Sequence, residues 1–334
     1  MARGPKKFND FIGQSRVISQ LKKLIAGALS RGKPLPNLLL IGRAGWGKSS
    51  LAEAIAREYG GRRHTLSCTS STKPREVEEI LRSLEYGDIF HIEEGHLLRE
   101  PESLYMALDE GRVPLNFLEA RAAMANGGPL HMNVAPFTLV ISTNTPGKIK
   151  PALRNRLHAL ELDRYSEIEL KEIASQAALA VGLQLTGQAA GLLGKTALGN
   201  PRTARLRAER LWLTVSGDRA DVNDVRDLLR SEGVDHLGLL PNQRVYLDTL
   251  AGARDHTMSL EMLVVKLGLD APHIRQEIEV GLVDLGLIVI KQQHRAITRE
   301  GLNVAYKIIN IHKTSNNKDE NEDDANNKSR QAAG

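Results

Sequence analysis

Between residues 37 and 163 short apolar runs alternate with stretches of helical period. Leu38 to Ile41, His64 to Cys68, Ile89 to Ile92, Thr138 to Ser142 and Leu157 to Leu162 read as strands. KSSLAEAIAREYG and KPREVEEILRSLE, which lie between them, place apolar residues three and four apart and read as helices. Alternation of this kind builds βαβ units around a mostly parallel sheet. From 166 to 232 the pattern is wholly helical, in four segments that mostly end near a glycine. From about 237 to 310 it predicts a helix after Pro241, one around Leu260 to Leu267, and a third that aligns Ile274, Ile278, Leu282 and Leu285 on one face. An extended segment, LIVIKQQHRAIT, follows, and Thr298 opens a last helix. Three helices and a β-ribbon in this order describe a winged helix-turn-helix, a module that binds DNA or serves protein contacts.

Composition adds bounds. The 334 residues suffice for two or three domains, and 41% hydrophobic with 25% charged residues is the balance of a soluble globular protein. One cysteine, Cys68, excludes an internal disulfide and favours a reducing, cytoplasmic setting; in a strand it reads as a small buried hydrophobe. No apolar run approaches the roughly 18 residues that span a bilayer, so no membrane association is expected. Residues 313–334, KTSNNKDENEDDANNKSRQAAG, offer almost nothing apolar to offset ordering and read as a disordered tail. Their four basic and five acidic residues nearly cancel, so the net charge of +5 lies elsewhere, too small to demonstrate an anionic partner.

Gly42-Arg-Ala-Gly45-Trp46-Gly47-Lys48-Ser49 fits the phosphate-binding loop G-x-x-x-x-G-K-[ST], with the strand NLLLI before it and a helix after it. The glycines let backbone N–H groups turn inward around phosphates, Lys48 reaches the terminal phosphates, and Ser49 is placed to hold Mg²⁺. The helix start adds its positive dipole end. Trp46 reads as a packing residue rather than a base-stacking one. About 45 residues on, Asp88-Ile-Phe-His-Ile-Glu93-Glu94 is an apolar strand ending in two carboxylates. Metal-assisted phosphoryl transfer requires one carboxylate near the metal, assigned to Glu93, and one to orient the attacking water, assigned to Glu94.

Thr143-Asn144 fits either a side-chain amide near the γ-phosphate or an ordinary turn before Pro146. Arg154 and Arg156 fit a solvated face or an arginine finger, which would act on a neighbouring subunit and require a ring or filament. The histidines 64, 91, 96 and 131 lack metal-ligand spacing. Arg205, Arg207 and Arg210 read as a solvated face by default, with a DNA-facing stripe as the functional alternative.

The succession FNDFIGQ (8–14), the phosphate loop, STKPREVEEILRSLEYGDIFHIEEGH (71–96), FTLVISTN (137–144), PALRNRL (151–157), GNPRTARLRAERL (199–211) and VDHLGL (234–239) resembles an AAA+ ATPase. More narrowly it is similar to the RuvB family of Holliday-junction branch-migration motors. The resemblance implies an AAA+ domain over residues 1–164, a helical lid over 165–236, a winged helix over 237–311 and the tail over 312–334. It further implies a hexameric ring with ATP and Mg²⁺ between subunits, duplex DNA or a four-way junction as substrate, and RuvA as partner. Carried over, Phe11 and Ile12 lie near the adenine, and Gly42, Gly45, Gly47, Lys48, Ser49 and Ser50 bind phosphate and metal. Glu93 and Glu94 are the Walker B pair and Asn144 is sensor 1. Arg156 is the trans finger with Arg154 beside it, Tyr165 lies near the nucleotide, and Arg202 is the sensor-2 arginine. Lys291 and Arg295 in the wing contact DNA.

Three departures accompany the likeness. Glu93 stands where the family has Asp, the wing before Arg295 is poor in arginine, and residues 111–136 match poorly where the family has its RuvA-binding hairpin. Beside the motor stand two other readings: a slowly hydrolysing nucleotide switch that recruits a replication or recombination partner, and a clamp-loader-like assembly factor.

Overall fold

The computed structural model describes residues 7–306, so the expected tail at 312–334 lies outside the described residues. These divide into two compact units, residues 7–185 with 199–219, and residues 186–198 with 220–306.

The first unit is built on five strands: β1 (Leu38–Ile41), β2 (Arg63–Ser67), β3 (Ile89–Glu93), β4 (Thr138–Thr143) and β5 (His158–Glu161). They lie in the order β2-β3-β4-β1-β5, all parallel. Leu38, Leu39 and Leu40 are fully buried, as strands covered on both faces require. On one face Leu38, Leu40, Ile89 and Val140 pack with helices α1 (Ser15–Arg31) and α2 (Lys48–Tyr59) through Val17, Leu21, Leu51 and Ile55. On the other, Leu39, Phe90, Ile92 and Ile141 pack with α3 (Pro74–Ser83) and α4 (Glu102–Glu110) through Leu81 and Leu104. Cys68 is buried in this second core, and burial pushes its thiol up to about 11.

Three features of this unit bear on function. Gln14 holds the N-terminal segment to the end of β5: its Nε2 donates to the Asp163 carbonyl at 2.7 Å and its Oε1 accepts from the Asp163 N–H at 2.9 Å. Residues 112–133 form an antiparallel hairpin, Arg112–Pro114 against His131–Asn133, that carries α5 (Phe117–Ala125) between its arms. Helices α6 (Glu167–Ala180) and, after residue 198, Pro201–Thr214 pack on each other.

The second unit holds helices Gly187–Thr196 and Val222–Ser231 and a winged helix. The latter has helices Pro241–Ala251 and Leu260–Leu267, a third helix over 271–284, and a sheet of Thr257–Ser259, Ile288–Lys291 and His294–Ile297. Ile274, Ile278 and Leu282 are buried as their spacing predicts, and the Thr298 hydroxyl accepts from the Gly301 N–H at 3.0 Å to cap the last helix.

Candidate active site

A cavity of about 1000 Å³ opens at the C-terminal ends of β1, β3 and β4 in the first unit. It is lined by Phe11, Ile12, Gly45, Gly47, Lys48, Ser49, Ser50, Glu93, Glu94, Tyr165 and Arg202 among the sequence-assigned residues. Open parallel sheets bind ligands in the crevice outside the carboxyl ends of their strands, where connections leave to opposite faces.

The loop between β1 and α2 takes its shape from two glycines in the left-handed region, Gly45 at φ +82° and Gly47 at φ +90°. At Gly45 a Cβ would also run into Asn200 Oδ1. Asn200 is a residue the sequence analysis missed. Its Oδ1 accepts from the Arg202 N–H at 3.0 Å, capping helix Pro201–Thr214, while its Nδ2 donates to the Ala44 carbonyl at 3.4 Å. The cap thereby ties the start of that helix, with Arg202, to the phosphate loop. Lys48 is 8% exposed, and its ammonium donates to the carbonyls of Gly42 (2.7 Å) and Arg43 (3.0 Å). Burial lowers its pKa, opposed by Glu94 and aided by Arg202. Trp46 packs on the core with the Arg43 guanidinium 5.7 Å from its ring centre. Tyr165 donates to the Trp46 carbonyl at 3.3 Å, and burial pushes its phenol up to about 12.

Glu93 ends β3 opposite Ser67 of β2. Its carboxylate accepts from Ser49 Oγ through one oxygen and from Ser67 Oγ, at 2.8 Å, through the other. Burial raises its pKa, but the two hydroxyls and the His91 and Arg63 side chains outweigh that and hold it low. Glu94 sits at φ +50°, a left-handed conformation that costs a non-glycine residue about 1 kcal/mol or more. That turn lets consecutive carboxylates both face the cavity. His96 Nδ1 lies 3.4 Å from Glu94 Oε2 and 3.1 Å from Thr143 Oγ1, and its pKa is lowered by burial.

The remaining assigned residues stand apart from the cavity lining. Gly42 is buried against Leu162, and Asn144 is exposed just past β4. Arg154 is exposed. Arg156 is held by Asp109, which accepts from Nε at 2.8 Å and Nη2 at 2.5 Å, and lies over the Tyr105 ring at 5.1 Å. Beyond Asn200, sequence reasoning also missed Ser67, Ser142, Arg205 and Glu209 in the lining. The arginine and the glutamate pair at 2.9 Å.

In the winged helix Lys291 is exposed on the wing, as expected. Arg295 is not where the sequence placed it. It is 4% exposed, and its Nε and Nη2 donate to Glu279 at 2.7 and 3.2 Å, while the Tyr246 hydroxyl donates to the same carboxylate at 2.8 Å. The third helix contains a π-turn at Ile274–Ile278. The wider turn shifts the helical phase, so Glu279 is buried together with Ile278. Arg295 thus pins the wing to this helix from inside, and its guanidinium does not face solvent.

The family model described as the Holliday junction DNA helicase RuvB P-loop domain matches residues 3–162, and the RuvB C-terminal winged helix domain matches 236–305. The Holliday junction branch migration complex subunit RuvB of Thermotoga maritima is 32% identical over 310 residues, 91% of this chain and 90% of its own. That of Rubrobacter xylanophilus is 32% identical over 302 residues, 88% and 84% of the two chains. A solved structure of Thermotoga maritima RuvB, described as a Holliday junction branch migration motor, matches with a TM-score of 0.77 at 30% identity over 92% of this chain and 98% of that one. Two matched domains, near full-length similarity and a phosphate loop facing paired carboxylates agree: the chain belongs to the RuvB family.

Proposed function

We propose that this chain hydrolyses ATP with Mg²⁺ and couples turnover to translocation on duplex DNA, driving branch migration of four-way junctions as a hexameric ring. The observation that carries this reading is a division of labour: Lys48, Ser49, Glu93, Glu94 and Arg202 line one cavity, while Arg156 is fixed outside it. A guanidinium held in a set pose on the surface is suited to complete a neighbouring protomer's site. Its Asp109 partner would then be exchanged for phosphate.

The donors fit Mg²⁺. Ser49 Oγ meets the Glu93 carboxylate, giving hard oxygens and a single carboxylate where a nucleotide's phosphates would complete the shell. Bound there, the ion would neutralise charge on the phosphates. The longer Glu93 side chain reaches Ser49, which supports a metal role without Asp. Glu94 would orient water, Asn144 would sense the γ-phosphate, and Phe11, Ile12 and Tyr165 would flank the base. Residues 165–236 would act as the lid, closing through Arg202 when a triphosphate is bound.

RuvA is the proposed partner for the hairpin at 112–133, which leaves Phe117 79%, Leu118 74% and Met124 67% exposed. Lys291 would touch DNA phosphate. Among the described residues no helix is long and apolar enough to cross a membrane, and we place the activity in the cytoplasm.

The test is complementation. Lys48→Ala and Arg156→Ala chains should each be inactive in ATP hydrolysis, and mixing them should restore part of the rate by assembling intact shared sites. Parental turnover by Arg156→Ala alone would overturn the shared-site reading.

A further inference from the structure

Beneath the cavity, a row of polar side chains crosses the α2 face of the sheet and ends at Ser142. Glu53 of α2 accepts from Arg63 of β2 at 2.8 Å. Arg63 Nη1 lies 3.2 Å from His91 Nδ1 of β3, and His91 Nε2 lies 2.9 Å from Ser142 Oγ of β4. His91 is fully buried and Ser142 is 2% exposed, and Ser142 lines the cavity together with Lys48, Ser49 and Glu93.

The chemistry of these groups fixes the direction of each hydrogen bond along the row. A guanidinium has donors and no acceptor, so Arg63 donates and His91 Nδ1 must accept. The ring proton of the neutral imidazole then sits on Nε2 and is donated to Ser142 Oγ. Ser142 is therefore the acceptor in this bond, and its own hydroxyl proton is left for another partner. Without Arg63, the imidazole could take its other tautomer and claim that proton for itself.

We propose that Ser142 is a fixed hydrogen-bond donor to the terminal phosphate of a bound nucleoside triphosphate, with Arg63 and His91 as positioning residues that hold its hydroxyl in the donating orientation. The inference rests on the nucleotide reading of the cavity. The direction is the useful part: an anionic phosphate oxygen only accepts, so a serine whose hydroxyl was committed elsewhere would not serve it. The row gives the site a way to distinguish triphosphate from diphosphate through a neutral group, alongside Lys48.

The experiment is titration of the full chain with ADP and with a non-hydrolysable ATP analogue, both with Mg²⁺. Ser142→Ala should weaken the analogue by roughly ten-fold or more, the loss of a hydrogen bond to a charged group, and leave ADP affinity unchanged. Arg63→Met should lower the same ratio by a smaller factor, and Ser142→Thr, which keeps the hydroxyl, should recover much of it. Unchanged ADP binding certifies the fold of each variant. Equal effects on both nucleotides, or none on either, would overturn the assignment of Ser142. Failure of the parental chain to bind either nucleotide would instead overturn the nucleotide reading.

Discussion

Lys48 and Arg295 are both cations with under a tenth of their surface exposed, 8% and 4%, yet their surroundings differ in kind. Lys48 donates to two backbone carbonyls beside a cavity, and among the described residues no carboxylate forms an ion pair with it. Arg295 meets Glu279 through two nitrogens, gives a third donor to the Gln293 carbonyl at 3.1 Å, and shares the Glu279 Oε1 acceptor with the Tyr246 hydroxyl. One charge is desolvated and incompletely answered, which is tolerated where a ligand supplies the missing anion. The other is answered in full by the protein, which makes it a strut. Burial alone therefore does not separate a site from a scaffold; the balance of charge around the buried group does.

The largest effect should come from the unanswered cation. Lys48→Ala should lower nucleotide affinity more than about 100-fold, since it removes a charged contact to phosphate. It should leave the unfolding midpoint unchanged or raise it, because a buried ammonium without a counterion opposes folding. Isothermal titration and thermal unfolding would check both halves. A clear loss of stability would mean that Lys48 is a strut too.

Arg295 predicts the reverse. Glu279→Ala strands a buried guanidinium and should destabilise the winged helix by about 3–5 kcal/mol. Nucleotide affinity should not change. Glu279→Met with Arg295→Met, which removes both charges and keeps volume, should recover most of the loss. Both tryptophans, Trp46 and Trp212, lie in the first unit, so a denaturant transition seen by circular dichroism but not by tryptophan fluorescence would locate the damage in the second. Equal destabilisation by the double variant would show that the pair contributes net stability.

Glu93 lies between the two cases, answered by the neutral hydroxyls of Ser49 and Ser67 rather than by a cation in contact. Its pKa in the folded chain is held below that of the unfolded chain. The stabilisation linked to it is accordingly present above the unfolded pKa and lost as pH falls through the folded one. Ser67→Ala should raise the folded pKa, narrow that window and move acid unfolding to higher pH, read by tryptophan fluorescence. An unmoved acid limb would show that Ser67 does not hold the carboxylate.

The same contrast explains what the sequence made legible. β1, β3 and β4 are short apolar runs between turn residues, and Lys48 and Glu93 belong to local motifs that follow β1 and end β3, so these strands and both residues could be read from neighbours alone. Ser67, Ser142 and Asp109 carry no local signal, and Asn200 before Pro201 signals only a helix cap, not its reach to the phosphate loop. Ser67 reaches Glu93 through strand register, Ser142 reaches His91 because β4 lies between β3 and β1, and Asn200 reaches Ala44 across 156 residues. The position of Arg295 was misread for a similar reason. Its wing context suggests solvent, but Glu279, just past the π-turn at Ile274–Ile278, is set inward to receive it.

The smallest effect concerns the wing surface, and it separates the two readings of its cations. Residues 236–305 carry seven Lys or Arg against eight Asp or Glu, so any hold on DNA rests on few cations, and with Arg295 committed to Glu279 the wing itself presents Lys291. Lys291→Ala should weaken duplex binding a few-fold, equally across sequences, and reduce the slope of log affinity against log salt by about 0.9, the value for one phosphate contact. The Glu279→Met, Arg295→Met pair keeps the wing packed and should leave that slope unchanged. A slope that falls by a further contact's worth in this double variant, with the winged helix still folded, would mean that Arg295 leaves its carboxylate to grip phosphate. The distinction drawn between the two buried cations would then fail at the wing.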